Sequence, residues 1–383
     1  MLSKKFSKGG RGTVCSSAAE TVSEHKSSKI QNLRVLFVLI VLSILFFTSC
    51  TNFKTQSQFD KNLQELPTLT PYRIADKWGF CDRNKKMIIQ PVYDDARPFS
   101  DGLAAVELND KWGYIDTKAN MVIKPVYDAG CNMVGLFSDG LAAVELNGKW
   151  GFIDDKGKMV IQPIYSDPCN IVGPFIDGLA RVALNGKWGF IDDKGKMVIQ
   201  PAYDFVDSFS EGLAVIIFNG PGFKIHCGFI DKEGNMVIQP IYDGANPFSE
   251  DLAAVKVKGK YGFIDKKGNV IIQPVYDFAY SFSEGLAAVK INGELTGKCG
   301  FIDKKGNMVI SAVYDDARPF SEGLALVAVS GFYGKHGFID KKGNMVIPAL
   351  YNWAYDFSEG LARVELNGKW GYIDKNGTQY WED

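Results

Sequence analysis

Histidine is the scarcest chemical resource in this chain: three in 383 residues, at His25, His226 and His336. A Ser-His-Asp or Cys-His centre would have to use one of them, and none lies in a nucleophile-type motif. There is no Cys-x-x-Cys pair, and the seven cysteines are scattered rather than spaced as zinc ligands. Charge of one sign is also lacking. Forty-three Lys and Arg oppose 44 Asp and Glu, a net charge of −1 with the two signs interspersed. No basic stripe exists, which excludes nucleic acid as a partner. Nor is there a run long enough to span a bilayer. The longest apolar stretch, Val35 to Phe47, falls short of the roughly 20 residues a membrane-spanning helix needs.

What the chain has is one stretch, copied. LAAVELNGKWGFIDDKGKMVIQPIY, Leu141 to Tyr165, recurs in variants from Tyr72 almost to the last residue. Its most visible column is an aromatic followed by glycine. That column falls at Trp78, Trp112, Trp150, Trp188, Cys227, Tyr261, Cys299, His336 and Trp370, with glycine next at all nine. The spacings are 34, 38, 38, 39, 34, 38, 37 and 34, so the base period is 34 with short insertions. The insertions use two places. One is CNMVGLF and CNIVGPF, at Cys131 and Cys169; the other is the stretch before the column in the units of Cys227, Cys299 and His336.

Within a unit, LAAVEL, WGFID and MVIQP each have strand length and no helical period. Asn-Gly between the first two is a type I′ hairpin signal. Asp-Lys-Gly or Lys-Lys-Gly makes the second turn, and Pro closes the third strand. The connection YDDARPFSEG has Tyr, Ala and Phe at three-residue spacing, compatible with one turn of 3₁₀ helix. One meander cannot bury enough surface alone, whereas stacked neighbours share a core. The strings KWGFID, KKGNMVIQPVYD and FSEGLAAV resemble the WG-repeat (KWG-repeat) proteins of bacteria, over residues 72–383. The resemblance implies an all-β repeat and a surface or secreted protein. It brings no catalytic residues.

The expected fold is therefore all-β: nine three-stranded antiparallel meanders in an open solenoid, with a closed propeller-like ring as the alternative. Nine units exceed the four to eight blades of ordinary propellers. The last unit, with GTQYWED in place of GKMVIQP, suits a polar cap.

Ahead of the array, a basic segment and the apolar run lead to Phe47-Thr-Ser-Cys50, a secretory signal with a lipobox-like end. Residues 1–49 are expected to be a signal peptide, with Cys50 lipidated and residues 50–71 a flexible tether. The alternative is an uncleaved signal anchor. Twenty flexible residues span about 25 Å.

The repeated acids read as architecture. Asp82 and its eight equivalents precede turns, where Asp caps backbone amides. The pattern of a calcium loop is absent. Cys81, Cys227 and Cys299 replace core residues and read as buried small hydrophobes. His336 replaces a Trp and reads as packed. A Cys131–Cys169 disulfide is not expected, because three-strand units set them apart. The candidate binding residues are aromatics near the tips of the two long hairpins: Phe218 and Phe223 in FNGPGFKIHC, and Phe332 and Tyr333 in VSGFYGKHG. Insertions in repeats often mark the binding face. The functional expectation is a non-catalytic envelope lipoprotein, held to the membrane by its lipid, that binds protein. A carbohydrate or cell-wall module is the alternative and an unrecognised hydrolase the third reading. No metal and no cofactor are expected.

Overall fold

The hairpin signals become turns as written. In the unit at Leu141, Asn147 (φ 54°) and Gly148 (φ 71°) both take the left-handed conformation a type I′ turn requires. Leu141–Leu146 then pairs with Lys149–Asp154, Glu145 opposite Trp150. At the second turn, Asp154 Oδ1 accepts from the amides of Lys156 (3.0 Å) and Lys158 (2.8 Å). The equivalent Asp does this in all nine units, from Asp82 to Asp374. The column is turn-capping, as its position before glycine implied.

The structure, a computed structural model, describes residues 69–383 apart from 83, 129–134, 136, 166–171, 295 and 330–333. Cys50, the signal segment and most of the tether lie outside the described residues. So do Cys131 and Cys169, together with Phe332 and Tyr333.

The described residues form nine small sheets. Blade 1 contains Thr70–Ile74, Lys77–Cys81 and Met87–Tyr93, beginning two residues ahead of the expected Tyr72. Blades 2 to 9 follow at residues 95–127, 141–165, 179–203, 205–242, 244–276, 278–314, 316–351 and 353–374. Six of the nine sheets have four strands, not three. The stretch read as a connection with a 3₁₀ turn is a short first strand. Asp95–Ala96 pairs antiparallel with Glu107 and Val106. It returns through a second left-handed turn at Asp101 (φ 50°) and Gly102 (φ 82°). Extended pairing wins because the backbone of this stretch finds ladder partners on the strand that follows, such as Arg97 N to Ala105 O at 2.9 Å.

The last strand of each unit, Met159–Tyr165 in blade 3, is bulged against its neighbour. It passes directly over the glycine of the aromatic-Gly pair: a Cβ on Gly151 would lie 2.6 Å from Ile161 O. That close approach explains the glycine in eight units; in the ninth, Gly371 lies under the Trp381 ring instead.

Each blade packs an aromatic face on the small-residue face of the next. Trp112, Tyr114, Ile123 and Tyr127 of blade 2 meet Ala142, Val144 and Ile153 of blade 3. At eight successive steps an aromatic pair joins the blades, from Phe80–Phe99 (5.0 Å) to Phe338–Phe357 (4.8 Å). Such pairs add about 0.5–1.5 kcal/mol each beyond burial. Carboxylates before the left-handed turns also bind across the steps. Glu250 accepts from Gly285 N (3.0 Å) and pairs with Lys304 (3.1 Å). Glu284 and Glu322 repeat this with Gly323 and Lys341, and with Gly360 and Lys375.

The ninth step closes on the first. Trp381–Glu382 leaves blade 9 and pairs in parallel with Arg73 and Ile74 of blade 1. Arg73 reaches Trp370 O (2.8 Å) and Asp383 (2.9 Å), Tyr72 donates to Glu382 (2.9 Å), and Trp78 meets Tyr372 edge-on at 5.7 Å. The molecule is thus a nine-bladed β-propeller, the ring and not the open solenoid. The degenerate last unit supplies the closing strand instead of a polar cap. Serine hydroxyls at the ends of the first strands reach the next first strand, as Ser283 Oγ to Phe320 O (2.6 Å). First strands therefore line the inner edge and last strands the outer.

Candidate functional site

The long hairpin of blade 5 carries two of the candidate aromatics. Phe218 lies in Ala214–Asn219, half-buried, with its ring 5.5 Å from that of Tyr203. Phe223 ends the 3₁₀ turn Pro221–Phe223. The aromatic-Gly column is core where expected: Trp78, Trp112, Trp150 and Trp188 are buried, Trp370 half-buried. Cys81, Cys227 and Cys299 are buried free thiols, the last two pushed up to about 12 by burial. His336 is buried against Trp353, ring centroids 5.5 Å apart. Among the described residues no three His, Cys, Asp or Glu converge as metal ligands.

Two other surfaces stand out. The first is the outer rim. In MVIQPVY-type strands the third and seventh residues face the core, so the second, fourth and sixth face outward. Twenty of the 24 exposed large hydrophobics among the described residues lie on these strands. Ile241 is 69% exposed and Val275 59%. An apolar edge strand invites pairing with another chain, and proline blunts it by removing a donor. Every described last strand carries proline except that of blade 7, Met308–Tyr314, where Ser311-Ala312 replaces Gln-Pro. Met308 (43%), Val309 (49%) and Val313 (58%) are exposed there. Sequence reading took MVIQP only as a strand. The missing proline was visible but had no meaning until the strand was known to be an edge.

The second surface is where units differ. The second and fourth positions after the recurring Tyr vary freely: Phe205 and Asp207, Gly244 and Asn246, Phe278 and Tyr280, Asp316 and Arg318, Trp353 and Tyr355. Most of these are satisfied across the step. Arg181 binds Asp207 (3.1 Å) and Val206 O (3.2 Å). Asn246 donates to Ala279 O (3.0 Å), and Arg363 binds Asp95 through both carboxylate oxygens. Around blades 7 to 9 burial and neighbouring charge act on these groups together. Tyr280 is held well above its usual range by burial, then by Asp316. The Asp356 carboxyl is raised by burial, against the pull of Arg318.

The fold alone defines the class: a closed ring of repeated three- and four-stranded units. The repeats define it further, for the family model "WG containing repeat" matches residues 78–112, 112–150, 150–188, 188–220, 228–261, 261–294, 300–331 and 337–370. The chain belongs to that family. No curated protein matches it. Solved structures give distant likenesses. One is the extracellular domain of a hybrid two-component system from B. thetaiotaomicron, 10% identical with TM-score 0.38, covering 79% of this chain and 55% of that one. Another is KlHsv2 with loop 6CD replaced by a Gly-Ser linker, 10% identical with TM-score 0.37, covering 73% and 92%. The chain thus spans about half the length of the first of these. Neither likeness bears on function.

Proposed function

We propose that this protein is a non-catalytic binding scaffold of the bacterial cell envelope, tethered by lipid on Cys50, and that it binds protein. The observation that carries the reading is the proline-free outer strand of blade 7, flanked by exposed Val309 and Val313. An extended segment of a partner adds to that edge. Backbone hydrogen bonds supply affinity, and the outward valines select apolar side chains at alternate positions. The partner is a polypeptide with an exposed apolar β-strand. Blades 1 to 6 keep proline at the position of Ala312, and blade 8 has Pro348 one place earlier.

The test is binding of residues 51–383 to an array of purified surface proteins, beside Ala312→Pro. A hit lost by at least tenfold in affinity in Ala312→Pro, at unchanged melting temperature, supports strand addition. A hit that survives the proline moves the interface elsewhere, and an array without hits removes the protein reading. Export and lipidation are read separately: Cys50→Ala should abolish incorporation of labelled palmitate and release the chain from the membrane fraction.

A further inference from the structure

Among the described residues, Trp353 is the one exposed aromatic side chain, at 37%. It stands second after the recurring Tyr, on the first strand of blade 9. In blades 5 and 7 a half-buried phenylalanine holds that place. Phe205 meets Trp188 at 5.4 Å and Phe278 meets Tyr261 at 5.4 Å. Trp353 makes the same contact with His336 at 5.5 Å. A phenyl ring is large enough to fill it, so the extra surface of the indole is left in water, which is unfavourable. Gly244 and Asp316 hold the place in blades 6 and 8, so the fold does not require a ring there.

Two polar groups beside the indole are uncommitted. Trp353 is paired opposite Glu365, and Glu365 opposite Trp370. Opposed residues share a face of the sheet with Cβ atoms about 5 Å apart, so a carboxylate stands between two indoles. Glu365 is half-buried, and its carboxylate has no bonded partner among the described residues. One residue before Trp353, Asn352 replaces the aspartate found at Asp94, Asp128, Asp204, Asp243, Asp277 and Asp315. Asp204 gives one oxygen to Lys187 and the other to the amide of Asn219. Asn352 keeps the lysine, its Oδ1 accepting from Lys335 at 2.5 Å. In place of the second oxygen it has an NH2 group, exposed and without a bonded partner among the described residues.

We propose that Trp353 is a surface platform for a neutral pyranose, with Glu365 and Asn352 binding its hydroxyls. The face of an indole is negative, and the C–H groups on one side of a pyranose ring are weakly positive, so the two stack. Such stacking takes place on a flat surface. Glu365 accepts from hydroxyls and the Asn352 amide donates to one; a sugar hydroxyl does either. Other ligands leave a group unanswered. An anion meets the Glu365 carboxylate, and the nearby cations are taken, Lys335 by Asn352 and Arg363 by Asp95. A quaternary ammonium suits the ring and the carboxylate, but it offers the Asn352 donor no acceptor and comes beside Lys335. The platform is independent of strand addition at blade 7, so the failure of either leaves the other standing.

The test is saturation-transfer NMR of the full chain, with tryptophan-fluorescence titration, using methyl β-D-galactopyranoside, methyl β-D-glucopyranoside, sorbitol and choline. At least one pyranoside should bind, with saturation concentrated on the protons of one ring face. Sorbitol has the hydroxyls without a ring face and should bind at least tenfold more weakly. Trp353→Ala should lose tenfold or more in affinity, and it should fold, because other blades hold Gly or Asp there. Trp353→Phe should keep part of the binding. Glu365→Ala should also lose tenfold or more, at a place that blade 8 fills with Ala328. Ile241→Ser, on the rim of blade 5, is the control and should leave binding unchanged. Silence with both pyranosides overturns the proposal, as does binding that persists in Trp353→Ala. Sorbitol binding as tight as the pyranosides overturns the stacking, and choline binding as tight overturns the ligand class.

Discussion

Gly151 and its equivalents owe their place to a backbone, not to a turn. A methyl group there would lie 2.6 Å from Ile161 O and 2.9 Å from Pro163 N, atoms that cannot rotate away. Gly151→Ala should therefore cost about 1–3 kcal/mol, as overpacking usually does, and lower the urea midpoint. Gly268 makes the contrast: its Cβ would meet nothing closer than 3.8 Å, but its φ is +83°. Gly268→Ala should cost only the left-handed strain, about 1–2 kcal/mol. Single residues were the most legible part of the sequence. The capping Asp column and the buried cysteines follow from residue type and neighbours. The Trp column was readable as core because Cys and His can replace a packed ring but not a binding platform. His336 carries one consequence further. Burial lowers its pKa, so the folded chain holds it neutral while the unfolded chain takes up a proton. Its stabilising share is whole above the ordinary histidine pKa, near 6.5, and is lost as pH falls below that. His336→Trp should flatten the melting temperature between pH 7 and 5. An unchanged slope would place the acid sensitivity elsewhere.

The first strand of each blade was the element the sequence hid. YDDARPFSEG contains proline and an interrupted apolar pattern, so no period of two survives, and its pairing partner lies beyond a turn. The signal that was present is Asp-Gly or Glu-Gly before LAAV, the same hairpin chemistry as Asn-Gly. The Tyr-Asp pair at its start also has a purpose that only the assembled elements reveal. Asp94 binds Lys77 of its own blade (2.5 Å) and the amide of Asn109 in the next (2.9 Å). Asp204 does the same with Lys187 (2.6 Å) and Asn219 (2.8 Å), and Asp277 with Lys260 (2.5 Å) and Gly293 (2.9 Å). The lysine contact is the first cause lowering each of these carboxyls below its usual range. A depressed carboxyl stabilises the fold above the unfolded pKa and loses that share as pH falls through the folded value. Melting temperature should hold from pH 7 to about 5, apart from the histidine share, and drop below about 4. Each exposed pair contributes little, so the drop should come from the repeated set. Asp204→Asn alone should shift the acid midpoint only slightly; a collapse of the whole acid transition from that one change would contradict a distributed role.

Closure of the ring is a property no single unit encodes. The period of 34 says that units stack; their curvature depends on how large an aromatic face is opposed to how small an aliphatic one. Whether the ends meet rests on residues some 300 apart in sequence, such as Tyr72 with Glu382. The bridge itself is two residues of parallel strand, too short to announce itself beside GTQYWED. Yet it is not alone. Trp381 lies against Gly371, Arg73 spans Trp370 O and Asp383, and Arg363 joins Asp95 while stacking on Trp78 and Trp370. Removing residues 379–383 deletes the bridge, the Tyr72–Glu382 bond and the Arg73–Asp383 pair, but leaves Arg73 on Trp370 O, Trp78–Tyr372 and Arg363–Asp95 in place. A closed ring held mainly by the strand should open on truncation. Small-angle scattering would then show a larger radius of gyration, and unfolding would become broader as end blades fray from an array now free to melt from either side. Adding Arg363→Met, which removes the Asp95 bond, should enlarge the effect. If the truncated chain keeps the scattering profile of the intact one and only the double change opens it, the side-chain seam closes the ring and the terminal strand merely covers it. If neither opens it, the aromatic faces alone enforce nine-fold closure, and the curvature is set by the Phe pairs repeated at the eight other steps.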